Sequence, residues 1–167
     1  ADHSRRIAIA NTEGVYAEDE QDLCRLHVAV VAQGKDGERR TGSYGGGGRV
    51  GLGFYDSFRP EDVGAEAARQ AIATLGAVDA PAGPQTVVLA PGWSGILLHE
   101  AIGHGLEADF IRKNTSLYAG KLGEKVASDK VTVIDDGTVA GARGSINIDD
   151  EGVPAERKVL IEKGILR

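Results

Sequence analysis

The chain has 167 residues, of which 41% are hydrophobic, so it is long enough to bury the core of one domain of common size. Its 25 acidic residues outnumber its 19 basic residues and give a formal net charge of -6. Because no block of Lys and Arg is present to neutralise a run of phosphates, we exclude direct nucleic-acid binding. We predict a single domain over residues 1–167.

The only cysteine, Cys24, rules out an internal disulfide and a cysteine-rich zinc ribbon. A single cysteine fits the reducing cytoplasm, and no apolar run approaches the roughly 18 residues that a transmembrane helix needs. We therefore expect a cytoplasmic protein that does not enter a membrane. The sequence contains no methionine, even at its first position, which favours a piece of a longer protein.

The first third of the chain predicts an antiparallel β-meander. Residues 5–11 and 26–33 are short runs rich in β-branched residues, and in the second run the apolar side chains alternate as in a half-buried strand. Asp36 and Gly37 favour a tight hairpin turn, because that turn needs a positive φ, and residues 40–44 would form the returning strand.

Helices and strands follow in turn. Residues 60–76 predict a helix, because Pro60 suits its first turn and apolar residues recur every four positions from Val63. Residues 85–91 predict a strand that ends at a Pro-Gly pair.

A second, mostly apolar helix carries residues 97–107, and further strands are expected at 130–137 and 158–166. The sequence therefore predicts an α+β fold, in which an antiparallel β-meander is followed by helix, strand, motif-bearing helix and further strands.

A glycine-rich stretch contains the spacing G-x-G-x-x-G at Gly46, Gly48 and Gly51. A dinucleotide site needs that pattern to leave a strand and open a helix, and here helical periodicity resumes only at Pro60. We therefore predict a flexible loop that exposes its backbone beside a strand, and no nucleotide site.

Two acidic stretches predict turns. Residues 147–152 lack the ligand spacing of a twelve-residue calcium loop, so a solvated turn is the better interpretation. Residues 134–138 contain an Asp-Gly pair between strands, which is typical of a turn.

The segment LLHEAIGHGLE, residues 97–107, places two histidines and two glutamates in an apolar run. Zinc proteases of the H-E-x-x-H type bring both histidines to one helical face, but the five-residue spacing of His99 and His104 would separate them by about 140° on a regular helix. A π-bulge would restore the shared face, and Gly103 makes a local distortion inexpensive. The motif therefore predicts a distorted helical turn at Gly103.

Burying these ionisable groups in an apolar helix without a partner would be costly, which favours a bound metal ion. The imidazoles of His99 and His104 would hold Zn²⁺, and the ion would lower the pKa of a bound water. Glu100 would accept the proton of that water during attack on a carbonyl group. These residue types therefore predict metal-dependent hydrolysis.

A catalytic zinc usually has three protein ligands, and the third is not evident from the motif. Glu107 is a candidate because it lies three residues after His104. Cys24 and His27 lie on a predicted strand and are more often ordinary sheet residues.

Five stretches of the sequence resemble the TldD branch of the TldD/PmbA family, whose members are also described as modulators of DNA gyrase. They are NTEGVYAEDE, TGSYGGGGRVG, HEAIGHGLEADFIRKNTS, GEKVASDKVTVIDDGT and GSINIDDEGVPAERKVLIEKGIL. The resemblance runs through essentially the whole chain in order. The H-E-x-x-x-H motif distinguishes this branch from the PmbA (TldE) branch, which lacks it.

The resemblance implies a cytoplasmic zinc metallopeptidase that forms a heterodimer with a PmbA/TldE-type partner subunit and cleaves unstructured peptides. By motif position it implies that His99 and His104 are zinc ligands and that Glu100 is the catalytic base. Family members are longer, with a preceding α/β region and a following β-rich domain, and their third zinc ligand is a cysteine near the C-terminal end. No position here corresponds to that cysteine, so we expect a central fragment with an incomplete metal site that is inactive in isolation.

A second interpretation is a non-catalytic peptide-binding or assembly module of a TldD/PmbA-like complex, in which the histidines are structural. It predicts that stability does not depend on metal and that a peptide or partner binds at a sheet edge. Zinc binding discriminates between the two interpretations.

Overall fold

The computed structural model describes residues 2–167. The strands are β1 (Asp2–Ala10), β2 (Tyr16–Gln33), β3 (Arg39–Gly48), β4 (Val133–Asp136), β5 (Arg157–Glu162) and β6 (Ile165–Leu166). The α-helices are α1 (Phe54–Ser57), α2 (Pro60–Ala73), α3 (Ser94–Ala101) and α4 (Ala108–Arg112), with a 3₁₀ turn at Gly103–Leu106. The predicted α+β class is confirmed.

The described residues group into two compact units. The first contains the residues up to Ala80 together with 136–156, and the second contains 81–135 and 157–167. Two compact units can belong to one folding domain, so the single domain over residues 1–167 stays a prediction.

In the first unit, β1, β2 and β3 form an antiparallel sheet in that order, as the predicted meander requires. The predicted hairpin turn is confirmed: the amide of Gly34 donates to the carbonyl of Glu38 at 2.8 Å, and Gly37 has a φ of 89°. From Cys24 onward every second side chain of β2 faces inward and the others, including His27, are exposed. The alternation of apolar side chains that the sequence predicts for this strand is therefore explained by a sheet with one buried face.

Strand β3 includes residues 45–48, so the predicted loop is wrong over this part of the glycine-rich stretch, whereas residues 49–53 after it contain bends and turns. A Cβ atom on Gly42 would lie 2.3 Å from the carbonyl oxygen of Ala67 and 2.3 Å from the amide nitrogen of Ala71, both on α2. A Cβ atom on Gly46 would lie 2.9 Å from the ring of Phe58. Glycine is needed here because a helix and an aromatic ring approach the strand backbone closely.

Helix α2 confirms the predicted apolar stripe. Val63, Ala67 and Ala71 are at most 1% exposed and pack on the sheet, where small side chains permit the close approach to β3. The helix ends at Ala73, three residues before the predicted end, and Gly76 beyond it adopts a positive φ of 72°.

The segment 136–156 consists mainly of turns, as the acidic stretches predicted. Asp149 accepts hydrogen bonds from the amides of Glu151 and Val153, each at 2.9 Å. Asp136 likewise accepts one from the amide of Thr138 at 2.9 Å. These are turns stabilised by an aspartate side chain.

A buried ion pair connects this segment to the sheet of the first unit. The side chains of Asp19 and Arg49 are 3% and 12% exposed, and a guanidinium nitrogen of Arg49 lies 3.3 Å from both carboxylate oxygens of Asp19. Asn147 donates to Asp19 and accepts from Arg49 at 2.9 Å. The three side chains therefore satisfy one another, as buried polar groups require.

The second unit has a small sheet in the order β4, β5, β6. Its core consists of Val133, Ile161 and Leu166. The final stretch predicted as one strand is a hairpin, because Lys163 and Gly164 adopt φ values of 45° and 84° and reverse the chain.

The strand predicted at 85–91 does not form. Residues 85–90 have no regular secondary structure, and Val87 and Val88 are 71% and 96% exposed. Within residues 2–167 no strand pairs with this run, and β-branched composition does not hold a strand without a partner. No helix of the same residues is long and apolar enough to cross a membrane.

Candidate metal centre

The sequence motif lies across a break between two helical segments of the second unit. Helix α3 carries His99 and Glu100 and ends at Ala101. Ile102 leaves the helical conformation with φ -129° and ψ -44°, and the 3₁₀ turn that begins at Gly103 carries His104. The predicted distortion is present, but it is a helix break at Ile102 and not a π-bulge at Gly103.

This break brings the two histidines together. The ring centroids of His99 and His104 are 4.5 Å apart, with an interplanar angle of 73°. One ligand atom from each of His99, Glu100 and His104 lies within 4.8 Å of the others. The five-residue spacing therefore does not prevent convergence, because a turn with three residues per turn follows the α-helix.

Glu107 contacts the opposite side of the His104 ring. Its Oε1 atom lies 2.5 Å from Nδ1 of His104, whereas Oε2 of Glu100 lies 3.6 Å from Nε2. The hydrogen bond to Glu107 raises the pKa of His104, partial burial opposes this, and the charges of Glu107 and Glu100 add to the increase. Because an ionised carboxylate only accepts, Nδ1 carries the proton of this bond and Nε2 is the nitrogen left for a metal.

The motif is exposed, which corrects the buried helix expected from its composition. His99, Glu100 and His104 are all exposed, and Leu97 and Leu98 of α3 are 57% and 40% exposed. The penalty for burying several ionisable groups therefore does not apply. Support for a metal comes instead from the convergence of two imidazoles and a carboxylate.

The two remote candidates, Cys24 and His27, lie on β2 in the other compact unit. Cys24 is fully buried, and its sulfur lies 3.4 Å from the carbonyl oxygen of Gly51. His27 is an exposed residue of the strand. Neither residue is in the donor cluster, which in the described part of the chain consists of His99, Glu100 and His104.

A cavity of about 410 Å³ adjoins His99 within the second unit. Besides residues of the motif, Val133 and Asp135 of β4 and Leu160 of β5 line it. The sequence did not identify these three residues as part of the site, because they are far from the motif along the chain and only the folded sheet places them beside it.

Two family models match the chain. Residues 82–167 match the PmbA/TldA metallopeptidase C-terminal domain, and residues 1–75 match the central domain of the same family. The central-domain match contains the sheet β1–β3 and α2, and the C-terminal match contains the donor cluster.

Curated relatives carry metalloprotease names. The Metalloprotease TldD homolog of Haemophilus influenzae is 49% identical over 96% of this chain and 34% of its own length. A metalloprotease of Methanocaldococcus jannaschii is 40% identical over 93% of this chain and 34% of its own length. The chain thus spans about a third of the length of these relatives.

Solved structures share the fold. A protein of Thermotoga maritima described as a modulator of a DNA gyrase superposes with a TM-score of 0.77 and 29% identity, covering 99% of this chain and 37% of that one. TldE of Thermococcus kodakarensis superposes with a TM-score of 0.69 and 21% identity, covering 98% of this chain and 36% of that one. At 21% identity the second likeness concerns the fold alone.

Proposed function

Because the chain belongs to the PmbA/TldD metallopeptidase family, we propose that it is the metal-binding part of a zinc-dependent peptidase that hydrolyses unstructured peptides. The convergence of His99, Glu100 and His104 within 4.8 Å carries the proposal. Two imidazoles and a carboxylate are donor types that zinc accepts in hydrolytic enzymes. The exposure of all three leaves room for a substrate.

The donor set fits a zinc ion with a small adjustment. Two ligand atoms at about 2.1 Å from a tetrahedral ion are about 3.4 Å apart, so donor atoms of His99 and His104 that are separated by up to 4.8 Å need to approach by at most about 1.4 Å. The side chains of His99 and His104 are both exposed, which leaves them free to make that movement.

Each side chain then has a distinct task. His99 and His104 would hold the ion, which when bound would supply a Lewis acid that lowers the pKa of water. Glu100 lies beside Nε2 of His104, where its carboxylate accepts a proton from the attacking water. Glu107 holds the proton on Nδ1 of His104 and so would leave Nε2 as the nitrogen that binds the ion, a role that fits its contact better than direct ligation.

The proposal includes a PmbA/TldE-type partner subunit, because the H-E-x-x-x-H motif places this chain with the TldD branch. It also includes a cytoplasmic location, where the lone Cys24 would remain reduced. Peptides are the proposed substrates because the curated relatives carry metalloprotease names.

Zinc titration of the full-length natural protein and its variants tests the proposal. We expect His99→Ala and His104→Ala each to lower zinc affinity by more than about 100-fold, beyond the effect of removing an orienting partner. His27→Ala is the matched control, because this exposed histidine of β2 is outside the donor cluster and should leave the affinity unchanged.

A further variant separates the effect on metal binding from the effect on peptide hydrolysis. Glu100→Gln should retain zinc and lose peptide hydrolysis, because the amide no longer accepts a proton. Zinc affinity that is unchanged in both histidine variants would overturn the proposal and favour the non-catalytic module.

A further inference from the structure

The cavity beside His99 has apolar walls that metal chemistry alone does not explain. Leu98 of α3 and Ile102, which follows α3, line the cavity. Leu106 of the 3₁₀ turn and Leu160 of β5 line it as well. Val133 of the second unit's core completes the wall. A metal site needs polar donors, so this apolar lining indicates a separate purpose.

The helix α3 connects the cavity to the donor cluster. Gly95, Leu98 and His99 follow the spacing i, i+3, i+4 and share one face of α3, and Ile102 lines the cavity just beyond the end of the helix. His99 therefore belongs both to the cavity wall and to the donor cluster. Gly95 leaves space at this face, because a Cβ atom there would meet no other atom within 4 Å.

We propose that this cavity binds one aliphatic side chain of the peptide substrate, of the size of leucine or isoleucine, next to the bond that is cleaved. The inference rests on the proposed peptidase function. A volume of about 410 Å³ is at the lower end of the range for ligand pockets and suits a side chain with its adjoining backbone. Because His99 forms part of the wall, a bound side chain places the neighbouring carbonyl group beside the donor cluster.

The charges at the rim select against acidic side chains. Glu107 and Asp135 line the same cavity, and Glu100 belongs to the adjoining cluster. An aspartate or glutamate of the substrate would lose hydration against apolar walls and face like charges. The same carboxylates would attract a lysine, but its ammonium group would lose hydration against the apolar walls, so we expect an uncharged aliphatic side chain to be preferred.

Hydrolysis of a guest-residue peptide series by the full-length natural protein, together with any partner that co-purifies, tests the inference. The peptides share one unstructured Gly/Ser-rich sequence and differ at a single position, which is Ala, Val, Leu, Lys or Asp. Each added methylene group should raise the cleavage rate about fourfold, so Leu should exceed Ala by roughly 50-fold. Mass spectrometry should locate cleavage at a bond adjacent to the guest residue, with Lys and Asp at or below Ala.

Two substitutions on α3 test whether the cavity causes the preference for a guest Leu over a guest Ala. Gly95→Leu should fill the cavity and reduce the ratio of Leu to Ala cleavage rates to within about fivefold. Leu97→Ala is the matched control, because Leu97 is exposed on the same helix and does not line the cavity. If Leu97→Ala lowers the preference and Gly95→Leu does not, the substrate uses another face of α3 and the inference is wrong.

Peptide binding measured without metal tests the cavity independently of peptidase activity. The guest-Leu peptide should bind the chelator-treated protein more tightly than the guest-Ala peptide, because the cavity needs no metal. Hydrolysis without any guest preference would overturn the inference and leave the peptidase proposal intact. A guest preference in affinity without hydrolysis would support the cavity and overturn the peptidase proposal.

Discussion

The two compact units differ in how far the apolar side chains of their helices are buried. In the first unit, Val63, Ala67 and Ala71 of α2 are at most 1% exposed and lie on a glycine-rich strand. In the second, the more apolar helix α3 has no buried residue, and Leu97 is 57% exposed. Helix α2 thus belongs to the core of the first unit, whereas α3 leaves its apolar side chains largely exposed beside the core of the second.

Charged groups differ in the same way. Asp19 and Arg49 of the first unit are buried and fully partnered. His104 and Glu107 of the second are 51% and 47% exposed. Exposed ion pairs contribute little to stability and change partners at little cost, whereas removal of one member of a buried pair is strongly destabilising. The comparison indicates that the buried, partnered charges and the proposed metal donors lie in different units.

The largest expected effect is at the buried ion pair. Asp19→Ala should lower the free energy of unfolding by about 4 kcal/mol, because it leaves the guanidinium of Arg49 buried without its carboxylate. Glu20→Ala is the neighbouring control, since Glu20 pairs with Arg6 while both side chains are more than half exposed, and should change stability little. Equal effects in denaturant titrations would remove the contrast between buried and exposed charges.

The next effect concerns the contact between β3 and α2. Gly42→Ala should destabilise the protein by about 2 kcal/mol, because its Cβ atom would lie 2.3 Å from backbone atoms of the helix. Gly64→Ala on α2 has no atom within 4 Å of the new Cβ and should stabilise by about 0.5–1 kcal/mol. Thermal unfolding measures both, and a Gly42→Ala protein as stable as the parent would show that this packing is not tight.

We expect a smaller loss of stability when the pH is lowered. Burial acts to raise the pKa of Asp19, but hydrogen bonds from Gln21 and Asn147 and the charge of Arg49 outweigh it and hold the pKa below 3.8. Since the folded pKa is the lower one, this stabilisation is complete above about pH 4 and is lost as the pH falls through the folded value.

The difference in unfolding free energy between the parent and Asp19→Asn, measured from pH 7 to pH 2, isolates this residue. The hydrogen bond with Arg69 lowers the pKa of Glu66 to about 2, and that effect cancels because both proteins contain it. A difference that stays constant down to pH 2 contradicts the prediction.

The smallest effect on stability is expected at the motif. Glu107→Gln should leave the unfolding midpoint unchanged, because its contact with His104 is exposed, yet it should lower zinc affinity about 10- to 100-fold by weakening the orientation of the ring. Calorimetric zinc titration beside thermal unfolding tests both statements. A large loss of stability would show that the motif supports the fold and that the two roles are not separated.

Local patterns were sufficient for much of the fold. The alternation along β2, the positive φ at Gly37 and the stripe on α2 each depend on residues within a few positions, and all are confirmed. The motif also predicted that His99, Glu100 and His104 lie close together. They are at most five residues apart, so a local distortion of the helix is enough to bring them together.

Tertiary contacts decided the rest. The glycine run became part of β3 because it pairs with β2, and residues 85–91 remained outside any strand because no described strand pairs with them. The cavity wall of Val133 and Leu160 exists only when β4 and β5 pack beside the motif. The sequence by itself determined local conformation and donor chemistry, whereas close approach, strand pairing and cavity shape depend on distant residues whose contacts only the fold brings about.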